Sequence, residues 1–114
     1  MLKINNKVIT KETKICASVA SKALGLMFSR RIKDKALVFV NAQEEFVPLH
    51  MLFVFQTIDI LFLDSNKRIV ELKRDFKPFT MYIPTKKAKF VIELPQDTVR
   101  KKKIKAGDMC KFRY

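Results

Sequence analysis

Two nearly continuous apolar runs in the middle of the chain constrain its fold more than any other feature. Residues 49–55 and 58–63 are apolar at successive positions rather than at every second one. Short runs that are apolar on both faces are typical of strands whose sheet is covered on both sides. Gln56 and Asp59 interrupt the stretch 49–63, which is too short to cross a bilayer as a helix. We therefore expect a β-rich core built around these two segments.

Shorter segments on both sides of this core show the apolar–polar alternation of strands. Leu2 and Ile4, followed by Val8 and Ile9, predict a hairpin whose turn lies at the asparagines between them. The other predicted strands span residues 15–19, 36–40, 68–73, 88–94 and 109–112. The polar residues 41–45 are expected to end the strand that precedes them.

Helix is predicted in two places only. Residues 20–27 suit one or two helical turns that stop near Gly25. Asp97 is suited to cap a short basic helix that runs through Lys103, because its carboxylate can accept N–H groups at a helix N-terminus. The predicted fold class is mainly β (α+β): a compact, partly closed, barrel-like domain of about eight short strands with two short helices.

Length and composition restrict the class of protein. A chain of 114 residues predicts one domain over residues 1–114, and 48% hydrophobic residues can form a core. Two cysteines and one histidine exclude a disulfide scaffold and a zinc finger, and their spacing suggests no metal site and no cofactor. The first residues have no signal-peptide pattern, so we expect a cytoplasmic protein with reduced cysteines and no membrane segment.

Charge is distributed unevenly along the chain. The 24 Lys and Arg residues outnumber 11 acidic residues, for a net charge of +13. Residues 36–64 contain four acidic residues and no Lys or Arg, whereas residues 65–114 contain fifteen basic and five acidic residues. A basic surface attracts polyanions such as nucleic acid without specifying which, and it is equally compatible with an ordinary lysine-rich surface.

A small-ligand pocket is one candidate site. Asp59 lies within an apolar run, His50 is the one histidine, and Glu93 lies between Ile92 and Leu94. Each also has a structural interpretation: Asp59 could bind backbone N–H groups or a basic side chain, His50 could bond to backbone at a rim, and Glu93 could face solvent. The predicted pocket residues are Met27, His50, Met51, Phe53, Asp59 and Glu93.

A basic surface is the second candidate site. Its predicted residues are Lys86, Lys87, Lys89, Arg100, Lys101, Lys102, Lys103 and Lys105. The aromatic residues available for stacking on bases are Phe79, Tyr82, Phe112 and Tyr114. Lysine attracts phosphates without reading bases, so nucleic-acid binding here is expected to be salt-sensitive and non-specific.

An ordered set of short motifs extends from about residue 12 to the C-terminus. It comprises Gly25-Leu26-Met27-Phe28, His50-Met51-x-Phe53, the run 58–64, Ile69-Val70-Glu71, Pro78, Val91-x-Glu93-Leu94-Pro95 and Ile104-Lys105-x-Gly107-Asp108. Together they resemble the domain-of-unknown-function family 192, particularly its short archaeal members. The resemblance implies a small, β-rich, barrel-like fold with one or two helices and no established activity. Thr57, Gln96 and Val54 depart from the family pattern at turn and apolar positions.

Two functional hypotheses of different classes follow. The first is a small ligand-binding or accessory module that uses the predicted pocket. The second is a module that binds nucleic acid or another polyanion through its lysines. An enzyme is a third hypothesis, for which the sequence offers no constellation of nucleophile and base.

Overall fold

The computed structural model describes residues 1–16, 34–50, 57–78 and 80–114. The described residues form ten strands and one short helix. The strands are β1 Leu2–Ile4, β2 Lys7–Thr10, β3 Glu12–Cys16, β4 Lys35–Glu45, β5 Leu49–His50, β6 Ile58–Leu63, β7 Ile69–Phe76, β8 Met81–Tyr82, β9 Ala88–Pro95 and β10 Cys110–Lys111. The helix, α1, spans Thr98–Lys101. The prediction of a mainly β protein is therefore confirmed.

The strands are arranged in three sheets. A five-stranded sheet has the order β3-β4-β9-β6-β7, in which β3 and β4 are parallel and the other pairs are antiparallel. A three-stranded antiparallel sheet has the order β10-β1-β2, so it joins strands from opposite ends of the chain. A two-stranded sheet pairs β5 with β8. The radius of gyration is 12.5 Å, close to the roughly 13 Å of a compact domain of this length.

The five-stranded sheet is covered on both faces, because successive side chains of a strand point to opposite sides. All six residues of β6 are buried, as the doubly apolar run predicts. The first core cluster lies on the face toward the three-stranded sheet and α1: Leu2, Ile4, Ile9, Ala36, Val38, Leu61, Leu63, Ile69, Phe90, Ile92, Leu94, Val99, Ile104, Cys110 and Phe112. The second core cluster lies on the opposite face: Leu37, Phe39, Val47, Ile58, Ile60, Phe62, Phe76, Ala88 and Val91.

The first hairpin confirms its prediction and shows why asparagine occupies its turn. Asn5 and Asn6 connect β1 to β2 with φ angles of 51° and 68°. A two-residue hairpin turn whose central residues both have positive φ follows the right-handed twist of the strands. Asparagine tolerates that backbone region better than most residues.

Several predicted features differ in the structure. Hydrogen bonding joins the strands of the described ranges into separate sheets without closing a barrel, so the barrel-like description is not confirmed. There are ten described strands rather than about eight. β8 has no predicted counterpart, because it is two residues long and is defined by its pairing with β5. Residues 41–45 continue β4 instead of ending it. Their polarity is compatible with a strand because residues 42–45 are exposed beyond the sheet core.

The helical predictions have separate outcomes. The C-terminal helix exists, but it is confined to Thr98–Lys101 rather than reaching Lys103, which has a positive φ of 54°. The predicted helix at residues 20–27 lies outside the described ranges. Among the described helical residues, no segment has the length and apolar character needed to cross a membrane.

Candidate functional site

Asp59 is buried, and its carboxylate accepts hydrogen bonds from the backbone of two other segments. It lies on β6 with 1% of its surface exposed. Its Oδ1 accepts a hydrogen bond from the N–H of Asp75 at 3.0 Å, and its Oδ2 accepts one from the N–H of Val99 at 2.9 Å. The carboxylate therefore connects β6 to the end of β7 and to the first turn of α1. This is the structural interpretation that the sequence left open.

The cap of α1 differs from the predicted one. Asp97 occupies the N-cap position with a φ of 69°, and its side chain makes no capping hydrogen bond. It contacts Arg100 instead, with 3.5 Å between its Oδ2 and Nη2. Asp59 supplies the acceptor for a free N–H of the first helical turn, from a strand forty residues earlier in the chain. A local capping rule could not identify it, because the acceptor comes through tertiary structure.

Glu93 lies in apolar surroundings on β9. Its Cα pairs with those of Leu37 on one side and Ile60 on the other, and both of these residues belong to the second core cluster. Glu93 is half-buried, and desolvation by burial raises the pKa of its carboxyl group to about 8. No hydrogen bond links this carboxyl group to another residue of the described ranges. A carboxyl group with this pKa is mostly protonated at pH 7, so it can donate a hydrogen bond.

Asp59 and Glu93 lie on opposite faces of the five-stranded sheet. Asp59 pairs with Leu94, which belongs to the first core cluster, whereas Glu93 pairs with Ile60 of the second. Neighbouring positions on one strand point to opposite sides. The structure thus does not bring these two predicted pocket residues together.

Of the other predicted pocket residues, only His50 lies within the described ranges. His50 forms part of β5, where its Cα pairs with that of Met81. Met27, Met51 and Phe53 lie outside the described ranges. Tyr82, next to Met81 on β8, packs against the second core cluster, so the β5–β8 pair lies on the same side of the sheet as Glu93.

Glu71 is an organising residue that the sequence analysis did not select. Its Oε1 accepts hydrogen bonds from the backbone N–H groups of Thr85 and Lys86, at 2.9 and 3.0 Å, and from the Thr85 hydroxyl at 3.1 Å. Its Oε2 accepts a short hydrogen bond from the hydroxyl of Tyr82. Desolvation, and secondarily this bond, raise the pKa of Tyr82 to about 12. Glu71 thereby fixes the segment 82–86 over β7.

The Tyr82 ring extends the second core cluster toward the β5–β8 pair. Its centroid is 5.9 Å from that of Phe62 and 6.4 Å from that of Phe76. These separations are typical of favourable aromatic pairs. The aromatic contacts and the Glu71 hydrogen bonds together position β8 beside the face on which Glu93 lies.

The predicted basic surface divides into two groups along β9. Lys86 and Lys87 precede the strand, while Arg100, Lys101, Lys102, Lys103 and Lys105 follow it. The eight residues of β9, about 25 Å at the usual rise of a strand, lie between Lys87 and α1 along the chain. The segment after α1 turns back to β7, where the N–H of Gly107 binds the carbonyl of Ile69. All of these side chains are exposed. Lys89 is half-buried, and its Nζ donates a hydrogen bond to the carbonyl of Ala42 at 2.8 Å.

The predicted stacking aromatics occupy different environments. Tyr82 is half-buried and Phe112 is buried, whereas Tyr114 is 65% exposed. The Nζ of Lys67 lies 4.5 Å from the Phe112 ring centroid and donates a hydrogen bond to the Phe112 carbonyl at 2.8 Å. Phe112 is therefore already engaged within the protein. Phe79 lies outside the described ranges.

Metal and thiol chemistry have no support among the described residues, where Cys110 is part of the core. Within the described part of the chain, no group of three or more His, Cys, Asp or Glu side chains is arranged to hold a metal ion. Cys110 is buried in the first core cluster. Desolvation, with a smaller contribution from Asp108, raises the pKa of its thiol to about 12, so it is protonated near neutral pH and poorly nucleophilic.

A basic groove lies at the edge of the three-stranded sheet. It has a volume of about 690 Å³ and is lined by Met1, Lys3, Thr13, Lys111, Phe112 and Arg113. No local sequence pattern indicates it, because its two lysines are separated by more than one hundred residues. Only the pairing of β1 with β10 brings them together.

These observations define a class: a small β-rich domain whose central sheet is buried on both faces and whose conspicuous buried carboxylate is structural. The family model described as "Uncharacterized ACR", DUF192, matches residues 1–112. The chain belongs to the DUF192 family, as the motif resemblance predicts. A UPF0127 protein of Pyrococcus horikoshii is 37% identical over 103 residues, which cover 89% of this chain and 87% of the relative.

Two solved structures share the fold. A proposed transcription regulator from Sinorhizobium meliloti 1021 matches with a TM-score of 0.79 and 20% identity, over 87% of this chain and 79% of that one. A protein of unknown function from Novosphingobium aromaticivorans DSM 12444 matches with a TM-score of 0.79 and 19% identity, over 88% of this chain and 74% of that one. Similarity at these identities concerns the fold alone.

Proposed function

We propose that this protein is a binding module for a small, uncharged and largely apolar molecule, which contacts the sheet face that carries Glu93. The observation that carries the proposal is the position of Glu93 between Leu37 and Ile60, where burial raises the pKa of its carboxyl group to about 8. Ligand sites are commonly apolar with a few polar groups that fix orientation. A protonated carboxyl group in such a place is a polar group of this kind.

The protonation state determines which ligands the site favours. A protonated Glu93 carboxyl group donates one hydrogen bond and accepts another, and it brings no charge into the apolar face. A neutral molecule with a carbonyl or hydroxyl oxygen suits this group. An anionic ligand would be disfavoured once Glu93 ionises, since like charges repel in a poorly solvated place. The half-buried state of Glu93 supports access from outside.

The experiment measures binding of the neutral fluorescent probe N-phenyl-1-naphthylamine as a function of pH. We expect fluorescence enhancement at pH 6–7 that declines above about pH 8, because ionisation of Glu93 makes the face charged and hydrated. In Glu93→Gln the side chain remains neutral, so the enhancement should persist through this range. The probe carries no charge, which prevents the basic surface from contributing through electrostatic attraction.

A matched variant controls for the chemical change itself. Glu45→Gln makes the same substitution at an exposed position on β4 and should retain the pH dependence of the wild type. Absence of probe binding at every pH would contradict the proposal. An identical pH profile in wild type and Glu93→Gln would also contradict it.

Binding of nucleic acid or another polyanion is the alternative function. It is favoured by five exposed basic side chains in the six-residue span 100–105, which follows β9: Arg100, Lys101, Lys102, Lys103 and Lys105. Of these, Arg100 contacts Asp97, and its side chain is 64% exposed, so the pair is weak. Lys86 and Lys87 precede β9, whereas α1 follows it, so Lys86 and Lys87 are treated as a second patch.

A further inference from the structure

We infer that the groove between β10, β1 and β3 is a binding site for a phosphomonoester group. Three cationic side chains, Lys3, Lys111 and Arg113, line it, and no acidic residue of the described ranges does. A phosphomonoester carries nearly two negative charges near neutral pH and presents several acceptor oxygens. This site is separate from the face that carries Glu93, and it does not depend on the function proposed for that face.

Two of the cations are held opposite each other by the sheet. Lys3 and Lys111 are Cα partners in the antiparallel pair β1–β10. Both are exposed, while their neighbours Leu2, Ile4 and Cys110 are buried in the first core cluster. The two lysines therefore share the outer face, with Cβ atoms about 5 Å apart. Like charges directly opposite on a sheet are destabilising, and an anion bound between them would remove the repulsion.

The cations of the groove are not neutralised within the described ranges. The ion pairs found there are Lys35 with Glu12 and Arg100 with Asp97. Neither pair includes Lys3, Lys111 or Arg113. The guanidinium of Arg113 offers a planar fork of donors, which suits phosphate oxygens, and the two ammonium groups supply compact charges.

Thr13 provides an independent indication of a missing ligand atom. Its Oγ1 is buried and has no hydrogen-bond partner among the described residues, and Thr13 lines the groove. Buried hydroxyl groups nearly always have a partner, so one without a partner calls for an explanation. Thr13 lies on β3, an edge strand of the five-stranded sheet, with the cations of the groove on the neighbouring sheet. Because the Oγ1 atom itself is shielded from solvent, a phosphate oxygen would accept its hydrogen bond after a change of the Thr13 side-chain rotamer.

The size of the groove indicates that phosphate is only part of the ligand. Its volume of about 690 Å³ falls within the roughly 300–1,000 Å³ typical of small-molecule sites. A single phosphate group occupies a small part of this space. We therefore expect an organic phosphomonoester to bind more tightly than inorganic phosphate.

The experiment follows amide resonances by two-dimensional NMR at about 0.15 M ionic strength, where long-range attraction is largely screened. Inorganic phosphate, adenosine 5′-monophosphate and adenosine are titrated separately into the protein. We expect both phosphates to shift the resonances of Lys3, Thr13 and Lys111 at millimolar concentration, the nucleotide more strongly. Adenosine should leave them unchanged.

Two double variants test which charges contribute to nucleotide binding. The double variant Lys111→Gln/Arg113→Gln alters exposed side chains and should weaken nucleotide binding about tenfold or more, as loss of charge-assisted hydrogen bonds implies. Arg74→Gln/Lys77→Gln removes the same charge at exposed positions near the end of β7 and should leave binding unchanged. Equal weakening in both would overturn the inference, because it would indicate diffuse attraction.

Thr13→Val separates binding from folding. It replaces an unpartnered buried hydroxyl with a methyl group of similar shape, so the free protein should be as stable as the wild type or more stable. Nucleotide binding should nevertheless weaken. Unchanged binding in this variant, absence of shifts with either phosphate, or tighter binding of an oligothymidine without terminal phosphates would each overturn the inference.

Discussion

The Oδ2 atom of Asp59 accepts a hydrogen bond from the backbone N–H of Val99 at 2.9 Å, and this bond joins the central strand β6 to helix α1. The same carboxylate binds the N–H of Asp75 through Oδ1. One buried side chain thus satisfies donors from two segments that are otherwise far apart in sequence. Its position within an apolar run follows from this role, because the buried N–H of Val99 would otherwise lie in the protein without a partner.

The first prediction concerns the stability of Asp59→Asn. Asparagine has the same size, but its amide can accept only one of the two hydrogen bonds and turns an N–H₂ group toward the other donor. An unsatisfied buried donor costs about 1–3 kcal/mol. We expect the melting temperature to fall by at least about 5 °C, measured by circular dichroism.

Asp97→Asn is the matched control for this change. It affects the residue that the sequence analysis selected as the helix cap, and its pair with Arg100 is largely exposed. Asparagine tolerates the positive φ of this position. The free energy of unfolding of this variant should therefore differ from that of the wild type by no more than about 1 kcal/mol. A larger decrease in melting temperature for Asp97→Asn than for Asp59→Asn would contradict the prediction, because it would mean that Asp97 stabilises α1 more than Asp59 does.

The second prediction concerns the pH dependence of stability. The Glu93 carboxyl group has an unperturbed pKa of 4.5 and a folded-state pKa of about 8. Between these values the unfolded state binds fewer protons than the folded state, so the free energy of unfolding decreases as pH rises. Glu93→Gln removes this contribution. The variant should match the wild type near pH 4.5 and become progressively more stable than it up to pH 8.

Thermal unfolding at a series of pH values measures this difference. Each pKa unit corresponds to about 1.4 kcal/mol of unfolding free energy, and the partial exposure of Glu93 reduces this contribution. We therefore expect the melting temperature of Glu93→Gln to exceed that of the wild type by several degrees at pH 9. Glu45→Gln, at an exposed position, should show no such divergence. Parallel curves for wild type and Glu93→Gln would contradict the prediction that burial raises the pKa of this group.

The third prediction concerns Tyr82. Burial and the hydrogen bond to Glu71 raise the pKa of its hydroxyl to about 12. Tyr114→Phe leaves Tyr82 as the single tyrosine, so absorbance near 295 nm reports it alone. In this background Glu71→Gln should lower the titration midpoint, because the negative charge beside the phenol is lost. An unchanged midpoint would mean that desolvation alone accounts for the raised pKa.

The fourth prediction tests the alternative function with single-stranded DNA. If the basic residues after β9 bind phosphates, the protein should retain an oligothymidine on a filter at low salt. Retention should fall steeply between about 50 and 200 mM salt, because each neutralised phosphate releases counterions. Replacing Lys101, Lys102 and Lys103 by Gln should flatten the slope. The pair Lys86→Gln/Lys87→Gln should have an independent effect, since the two groups are separated along β9.

No retention at low salt would leave the basic residues as ordinary surface. Unaltered circular dichroism is the control for the triple variant, whose three substituted side chains are exposed. An unchanged salt slope in that variant would contradict an interface beside α1.

The core could be predicted from local sequence, because its signal is a run of apolar residues. The six buried residues of β6 and the turn at Asn5 and Asn6 are clear from their residue types alone. The sites could not be predicted in this way. Whether Asp59 and Glu93 share a face depends on strand pairing, and the partner of α1 comes from forty residues earlier. The groove requires the register of β1 against β10, which no local pattern contains.

The pairing of β1 with β10 has a consequence for synthesis on the ribosome. Leu2 and Ile4 precede their partner strand, which begins at Cys110, by more than one hundred residues. During elongation these apolar side chains lack that partner until more than one hundred further residues have been translated. Contacts of such long sequence separation slow folding and prolong the exposure of apolar surface. Nascent chains arrested before Cys110 should therefore be sensitive to proteases and bound by chaperones, whereas released chains are not.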